Sequence, residues 1–166
     1  MKQGQFIIIG LGRFGSSIGS ELIQLGHEVL GLDRDEEKVQ ELSNVLTHAS
    51  VADATEEEVL RSIGARKFDV GVVAIGDDIQ ASILATILLK ELGVKKVVAK
   101  AVSELHGRVL ERMGVDRVIY PERDMGVRVA HQLVSPNLLD YIELSKQYTI
   151  AELAVPHCLS GKSLDD

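Results

Sequence analysis

The residues best placed to do chemistry are glycines close to the amino terminus. Gly10-Leu11-Gly12-Arg13-Phe14-Gly15 reads G-x-G-x-x-G. It stands directly between an apolar, strand-like run (Phe6–Ile9) and a helical stripe of Phe14, Ile18, Leu22 and Leu25 that stops at Gly26. In that setting each glycine has a separate task. Gly10 permits a tight turn, Gly12 lets a pyrophosphate approach the backbone, and Gly15 allows the helix to pack closely on the strand. The amides at the helix start then face the phosphate with the positive end of the helix dipole. An acid follows at the distance such a site needs. Asp33 closes the run Val29-Leu30-Gly31-Leu32-Asp33, 18 residues beyond Gly15. Its carboxylate can accept hydrogen bonds from both ribose hydroxyls of an adenosine and would repel a 2′-phosphate, although Arg34 beside it softens that exclusion. Taken alone, Asp33 would read as a turn or cap residue.

Other candidates fall at the carboxyl ends of further strand-like runs, where ligands bind in open α/β sheets. Arg13 sits at the start of the first helix, where a cation opposes the dipole. A polyphosphate would offset that cost, and a solvated surface arginine is the alternative. Asp53-Ala54 and Ala74-Ile75-Gly76 follow two strands. Their apolar members would pack on adenine or belong to ordinary loop and core. Lys100 ends a strand amid Val97, Val98, Ala99 and Ala101, and a lysine there needs a partner. Glu122 could face the same crevice or serve as a helix first-turn acid. His27, His48, His106, His131 and His157 have no H-E-x-x-H or C-x-x-C beside them, so no metal site is evident. Cys158 lacks a local base, and there is no G-x-S-x-G nucleophile elbow. A nucleotide site without a proton donor or substrate pocket points to sensing rather than catalysis.

The elements that must position these residues repeat one pattern: apolar strand, turn, amphipathic helix, glycine. Strands are expected at Phe6–Ile9, Val29–Asp33, Thr47–Val51, Val70–Ile75, Lys96–Ala101 and Arg117–Tyr120. Several are apolar without alternation, as parallel strands covered on both faces should be. Thr55 with Glu58 reads as a capping box ahead of Val59, Leu60 and Ile63, closed by Gly64. Helices are expected from Ile79 to Leu92 and from Ser103 to Met113, stopped by Gly93 and Gly114. The pattern is an α/β fold, a Rossmann-like doubly wound parallel sheet of six strands. After it, Pro121 opens a helical crossover through Met125, Val129 and Leu133. Ser135-Pro136-Asn137 interrupts that helix, and Leu138, Leu139, Ile142 and Leu144 resume an apolar face. Tyr148–Val155 reads as a further strand, and the last 20 residues read as the opening of something cut short.

Composition narrows the partners. The 166 residues are 45% hydrophobic and 26% charged, with 18 Lys and Arg against 25 Asp and Glu for a net charge of −7. That length suits one core, and the acidic balance argues against nucleic acid. One cysteine excludes an internal disulfide and fits a reducing, cytoplasmic compartment. The longest apolar stretch, Ala81–Leu89, is about half of a membrane span, and with no basic run and cleavage site ahead of the first strand a leader is not expected.

The sequence resembles the RCK or KTN domain of the cytosolic regulatory subunits of Ktr/Trk-type potassium transporters. The resemblance is carried by Ile8-Ile9-Gly10-Leu11-Gly12-Arg13-Phe14-Gly15, by Gly26-His27-Glu28-Val29 with Asp33, and by Ala52-Asp53-Ala54-Thr55. Val72-Val73-Ala74-Ile75-Gly76 with Gln80-Ala81-Ser82 adds to it. The most specific run is Arg117-Val118-Ile119-Tyr120-Pro121-Glu122-Arg123-Asp124-Met125-Gly126. The resemblance implies residues 1–145 as a nucleotide-binding domain and residues 146–166, with Leu159-Ser160-Gly161-Lys162-Ser163-Leu164, as the start of a truncated C-terminal regulatory domain. It further implies binding of NAD(H), ATP or ADP, and dimers within an octameric ring. The ring would gate a membrane-embedded potassium-translocating subunit from its cytoplasmic side. The implied binding positions are Gly10 to Gly15, Asp33, Arg34, Asp53, Ala54, Ala74, Ile75, Gly76, Lys100 and Glu122. Arg13 would contact terminal phosphates, those of a neighbouring subunit's nucleotide included, and Glu122 would lie near them at the dimer junction. Asp77-Asp78 receives no role.

Two other functions fit the residues. One is the cofactor domain of a truncated NAD-dependent oxidoreductase, and the other a nucleotide-free assembly module. The apolar positions around Met125, Val129, Leu138, Leu139 and Ile142 exceed what the sheet needs for cover, so a dimer or larger assembly is expected.

Overall fold

The computed structural model describes residues 3–134, 138–145 and 148–153. The chain divides into two compact units, Met1–Tyr120 and Pro121–Asp166. In the first, strands and helices alternate: β1 (Gln5–Ile9), α1 (Arg13–Gln24), β2 (Glu28–Asp33), α2 (Glu36–Leu42), β3 (His48–Val51) and α3 (Glu57–Ile63). A short 3-10 turn at Ala65–Lys67 precedes β4 (Val70–Val73), α4 (Ile79–Glu91), β5 (Lys96–Lys100), α5 (Glu104–Arg112) and β6 (Arg117–Ile119). All six expected strands form one parallel sheet in the order β3-β2-β1-β4-β5-β6. The chain order therefore reverses between β1 and β4, and this is the switch point where an α/β sheet opens a crevice.

The lack of alternation in the strands is explained by what covers them. In β1, Ile7 and Ile9 enter a cluster with Leu32, Leu60, Val73, Leu89, Val97 and Leu110 on one face of the sheet. Ile8, between them, enters a second cluster with Leu11, Val29, Val39, Leu42, Leu46 and Val72. Successive strand residues point to opposite faces, so a strand buried on both must be apolar throughout. Ile7, Ile8, Leu32, Leu60, Leu89 and Leu110 are fully buried, each stabilising the fold by roughly 1.5–3 kcal/mol through burial. Helices α1, α3, α4 and α5 end beside Gly26, Gly64, Gly93 and Gly114, all left-handed, as the sequence predicts.

Three local features depart from expectation. Helix α2 has no counterpart in the sequence reading; Asp35 caps it by accepting the Glu37 N–H at 3.0 Å. The Thr55–Glu58 capping box does not form. Glu56 is the N-cap of α3 without a side-chain bond, and the Thr55 hydroxyl and amide instead donate to Asp53 Oδ1 at 2.6 and 2.9 Å. A carboxylate two residues upstream is the stronger acceptor and turns the chain before the helix begins.

The third departure lies in the second unit. Its helix, α6 (Pro121–Val134), matches the expected crossover. The apolar positions after it are strand rather than helix. β7 (Leu138–Ser145) pairs antiparallel with β8 (Tyr148–Leu153), with Ile142 opposite Ile150 and Tyr141 opposite Ala151. Aromatic and β-branched residues in both segments favour that pairing over a helical face. Residues 154–166, with Cys158 and the Leu159–Leu164 run, lie outside the described residues.

His106 tests the core from within. It is 2% exposed. Its Nδ1 accepts the Val102 N–H at 3.4 Å, the Ser103 hydroxyl accepts its own amide at 3.2 Å, and Nε2 is buried with no partner among the described residues. Burial pushes the imidazole below its ordinary value of 6.5. The unfolded chain therefore takes up the proton first. The stability this contributes is complete above about pH 6.5 and is lost as the pH falls through the folded value. His106→Asn keeps an acceptor for the Val102 amide but cannot titrate. Urea unfolding is expected to show a larger stability loss between about pH 7.5 and pH 5 for the parent chain than for His106→Asn. Equal losses would remove His106 as the cause.

Candidate functional site

The glycine-rich turn follows β1 at the switch point, and the geometry bears out the steric tasks of Gly10 and Gly15. Gly10 has φ +94°, and a Cβ on it would stand 3.0 Å from the Ile75 amide nitrogen. A Cβ on Gly15 would lie 1.9 Å from the Gly10 carbonyl oxygen and 3.2 Å from the Ala74 Cβ. No side chain larger than hydrogen fits there. Gly12 is different: its backbone is extended, with φ −67° and ψ −174°, and a Cβ would meet nothing within 4 Å. The fold does not need glycine at this position. The open space in front of it is what a phosphate approaching the backbone requires.

The start of α1 suits an anion. Gly12 is its N-cap, no side chain caps it, and its first turn holds no acid. By contrast, Asp35, Asp78 and Ser103 cap α2, α4 and α5 with side-chain bonds. The α1 amides therefore keep their positive end for a ligand. Arg13 is exposed, and its guanidinium forms no ion pair among the described residues.

Asp33 is joined to the turn itself. Its Oδ2 accepts the Leu11 N–H at 2.7 Å, and its Oδ1 accepts the Asp35 N–H at 2.9 Å. Each oxygen retains lone-pair capacity for a ribose hydroxyl. The Leu11 side chain is 3% exposed and belongs to the core, so Leu11 serves the site through its amide. Ala54 and Ala74 are also nearly buried, at 5% and 7%, while Ile75 and Gly76 are half-buried at the end of β4. Lys100, at the end of β5, has its Nζ 5.9 Å from the centre of the Phe14 ring. A Cβ on Gly76 would stand 3.2 Å from that Nζ. The ammonium of the half-buried Lys100 thus stands over the Phe14 ring, and Gly76 leaves it room.

Arg34 and Asp53 form a pair. An Arg34 Nη donates to Asp53 Oδ1 at 3.0 Å, and the other lies 3.8 Å from Asp78 Oδ2. Burial works to raise the Asp53 carboxyl, but bonds from Thr55 and then Arg34 outweigh it and hold the group below the usual carboxylate range. The sequence reading missed Lys38. Asp33 above all, then Asp35 and Asp77, raise its ammonium above the ordinary value, and it pairs with Asp35 at 3.4 Å. The i,i+3 spacing of Asp35 and Lys38 was the available signal. Asp78, also without a role in the sequence reading, caps α4 through the Ala81 N–H at 2.8 Å. Glu122 stands exposed in the first turn of α6, in the second unit. The other candidates are gathered in the first. No group of three or more potential metal ligands occurs among the described residues, and no described helix is long and apolar enough to cross a membrane.

A six-stranded parallel sheet with a glycine turn at its switch point and an acid ending β2 defines a dinucleotide-fold domain. The TrkA-N domain model matches residues 6–121, and the chain belongs to the TrkA-N domain family. It is 51% identical over 166 residues to Ktr system potassium uptake protein A of Bacillus subtilis (strain 168), covering 100% of this chain and 75% of that protein. It is 48% identical over 162 residues to Ktr system potassium uptake protein C of the same organism, covering 98% and 73%. Among solved structures, the GsuK channel bound to NAD superposes with a TM-score of 0.69 at 15% identity, covering 90% of this chain and 27% of that one. This last likeness shows the fold alone.

Substitutions at two glycines separate architecture from ligand approach. Gly15→Ala places a methyl inside the Gly10 carbonyl and is expected to destabilise the domain by several kcal/mol, on the order of 3 or more. Gly12→Ala should leave the thermal midpoint within roughly 2 °C yet weaken adenine nucleotide binding by at least about tenfold, the scale of one charged hydrogen bond. Thermal unfolding and calorimetric titration of both variants check this. Intact binding by Gly12→Ala would place the phosphate elsewhere.

Proposed function

We propose that this chain is the nucleotide-sensing part of a regulatory subunit of a potassium uptake transporter. The observation that carries the proposal is the 51% identity, across the whole chain, to a potassium uptake protein of the Ktr system. What the site contributes is a place for the signal. The free amides of α1, Arg13 and Lys100 would receive phosphates, and Asp33 would receive the adenosine ribose. The GsuK channel, which shares the fold, has been solved with NAD and with ADP, and an adenine nucleotide or NAD(H) is the ligand proposed here. No bond need be made or broken. Two nucleotides that favour different assembly geometries would shift the equilibrium by their difference in affinity for the two states, and only that difference matters.

The same proposal covers the partner and the place of action. A membrane-embedded potassium-translocating subunit would receive the signal at its cytoplasmic face. Transmission needs contact between copies, and α6 presents the means: Met125, Val129, Leu133 and Val134 are 54%, 42%, 78% and 78% exposed. Residues 146–166 would open the regulatory domain that follows. Glu122 would lie near the ligand's terminal phosphates at the junction between copies.

Arg13 distinguishes a triphosphate sensor from a dinucleotide site. Were the guanidinium to neutralise only a pyrophosphate, its removal would weaken NADH, ADP and ATP by similar factors. A third phosphate extends beyond the reach of the glycine turn, and guanidinium geometry suits bidentate contact with it. Arg13→Ala is expected to cost ATP about 1–2 kcal/mol more than NADH. Calorimetry with both ligands on the parent and variant chains measures this. Equal losses would assign Arg13 to the pyrophosphate, and no binding of any of the four nucleotides ATP, ADP, NAD and NADH would reject the sensing role.

A further inference from the structure

An arginine beside the ribose-binding acid is, in this fold class, the usual means of accepting a 2′-phosphate. Arg34 follows Asp33 directly, so its availability decides which adenosines the crevice admits. Here the guanidinium is engaged on two sides. One nitrogen meets Asp53 Oδ1 at 3.0 Å and the Thr55 hydroxyl at 3.4 Å, in the turn after β3. The other faces Asp78 Oδ2 at 3.8 Å, in the loop after β4. Both anchors are themselves held. Asp53 Oδ1 also accepts the Thr55 amide and hydroxyl, and Asp78 Oδ1 caps α4. Lys38, the other cation near Asp33, is paired with Asp35.

We propose that Asp53 and Asp78 are specificity-determining residues of the nucleotide site: by occupying Arg34 they withhold its guanidinium from a 2′-phosphate and restrict the site to adenosines with an unmodified ribose. The proposal rests on the nucleotide reading above but assigns these two carboxylates a task distinct from holding ligand. With Arg34 held in these pairs, a 2′-phosphate would meet the carboxylates of Asp33, Asp53 and Asp78. The pairs are solvent-exposed, with Arg34 at 53%, Asp53 at 35% and Asp78 at 48%. The discrimination they supply is therefore modest, because exposed ion pairs are screened.

The test is a titration of NADH and NADPH against the purified chain, its Asp53→Asn/Asp78→Asn variant, and the same variant with Arg34→Ala added. Asparagine retains an acceptor for Thr55 and remains a good helix cap, and thermal unfolding verifies that each variant is folded. The parent chain should favour NADH. Releasing Arg34 should improve NADPH relative to NADH by about 5- to 10-fold, and adding Arg34→Ala should abolish that gain. Asp78→Asn alone should give part of the gain, and it decides the matter if the double variant does not fold. An unchanged ratio overturns the proposal. So does a gain that persists without Arg34, since that would reflect lost negative charge alone. If the parent chain binds neither NADH nor ADP, the nucleotide reading itself fails. If it binds NADH and the ratio does not move, only the present inference fails.

Discussion

The closeness of Gly15 to the Gly10 carbonyl governs the arrangement around it. A Cβ at Gly15 would lie 1.9 Å from that oxygen, so the first turn of α1 rests against the backbone that ends β1. A helix that close to its strand has its N-terminus over the switch point, beside the end of β4. Asp33 then connects the third side, since its carboxylate accepts the Leu11 amide at 2.7 Å. The ends of β1, β2 and β4 are in this way set by backbone contact and one short charged hydrogen bond, with little left to side-chain choice. Glycine inside a helix lowers its stability by about 1 kcal/mol relative to alanine. α1 tolerates this because packing on the sheet supplies what the helix forgoes.

Around that turn most of the carboxylates lie on one side, with Asp78 after β4 the exception. Toward β4 and β5 lie the uncapped α1 N-terminus, Arg13 and the Lys100–Phe14 pair, and toward β2 and β3 lie Asp33, Asp35 and Asp53. Asp35 and Asp53 are held below the usual carboxylate range by near neighbours that outweigh their burial. For Asp53 these are the Thr55 hydroxyl and amide and the Arg34 guanidinium, which overcome the cost of its burial. Among the described residues, Arg34 pairs with Asp53 and Asp78, and Lys38 with Asp35.

Where sequence reasoning went astray, a competing interaction had won. Thr55 was available as a cap for α3, but Asp53 two residues earlier offered a stronger acceptor. Leu138 to Leu144 carried a helical apolar spacing, and the segment became a strand because Tyr148–Leu153 could pair with it. Helix α2 was overlooked although Asp35, Glu36 and Glu37 give it a cap and an acidic first turn. Its seven residues are too few for a convincing apolar period.

The sheet, its six strands and the tight glycine turn were legible in the sequence because they rest on local chemistry. Apolar runs with no alternation demand cover on both faces, and glycine at positions 10 and 15 is a direct statement about backbone clearance. The left-handed glycines closing four helices are of the same kind. Partners distant in sequence were not legible. That Arg34 would span Asp53 and Asp78, that Asp33 would hold the Leu11 amide, and that Lys38 would feel Asp33 are consequences of strands 3-2-1-4 lying side by side. Long, flexible, charged side chains choose partners by proximity in the finished fold, and only the tertiary structure sets which carboxylates come within reach.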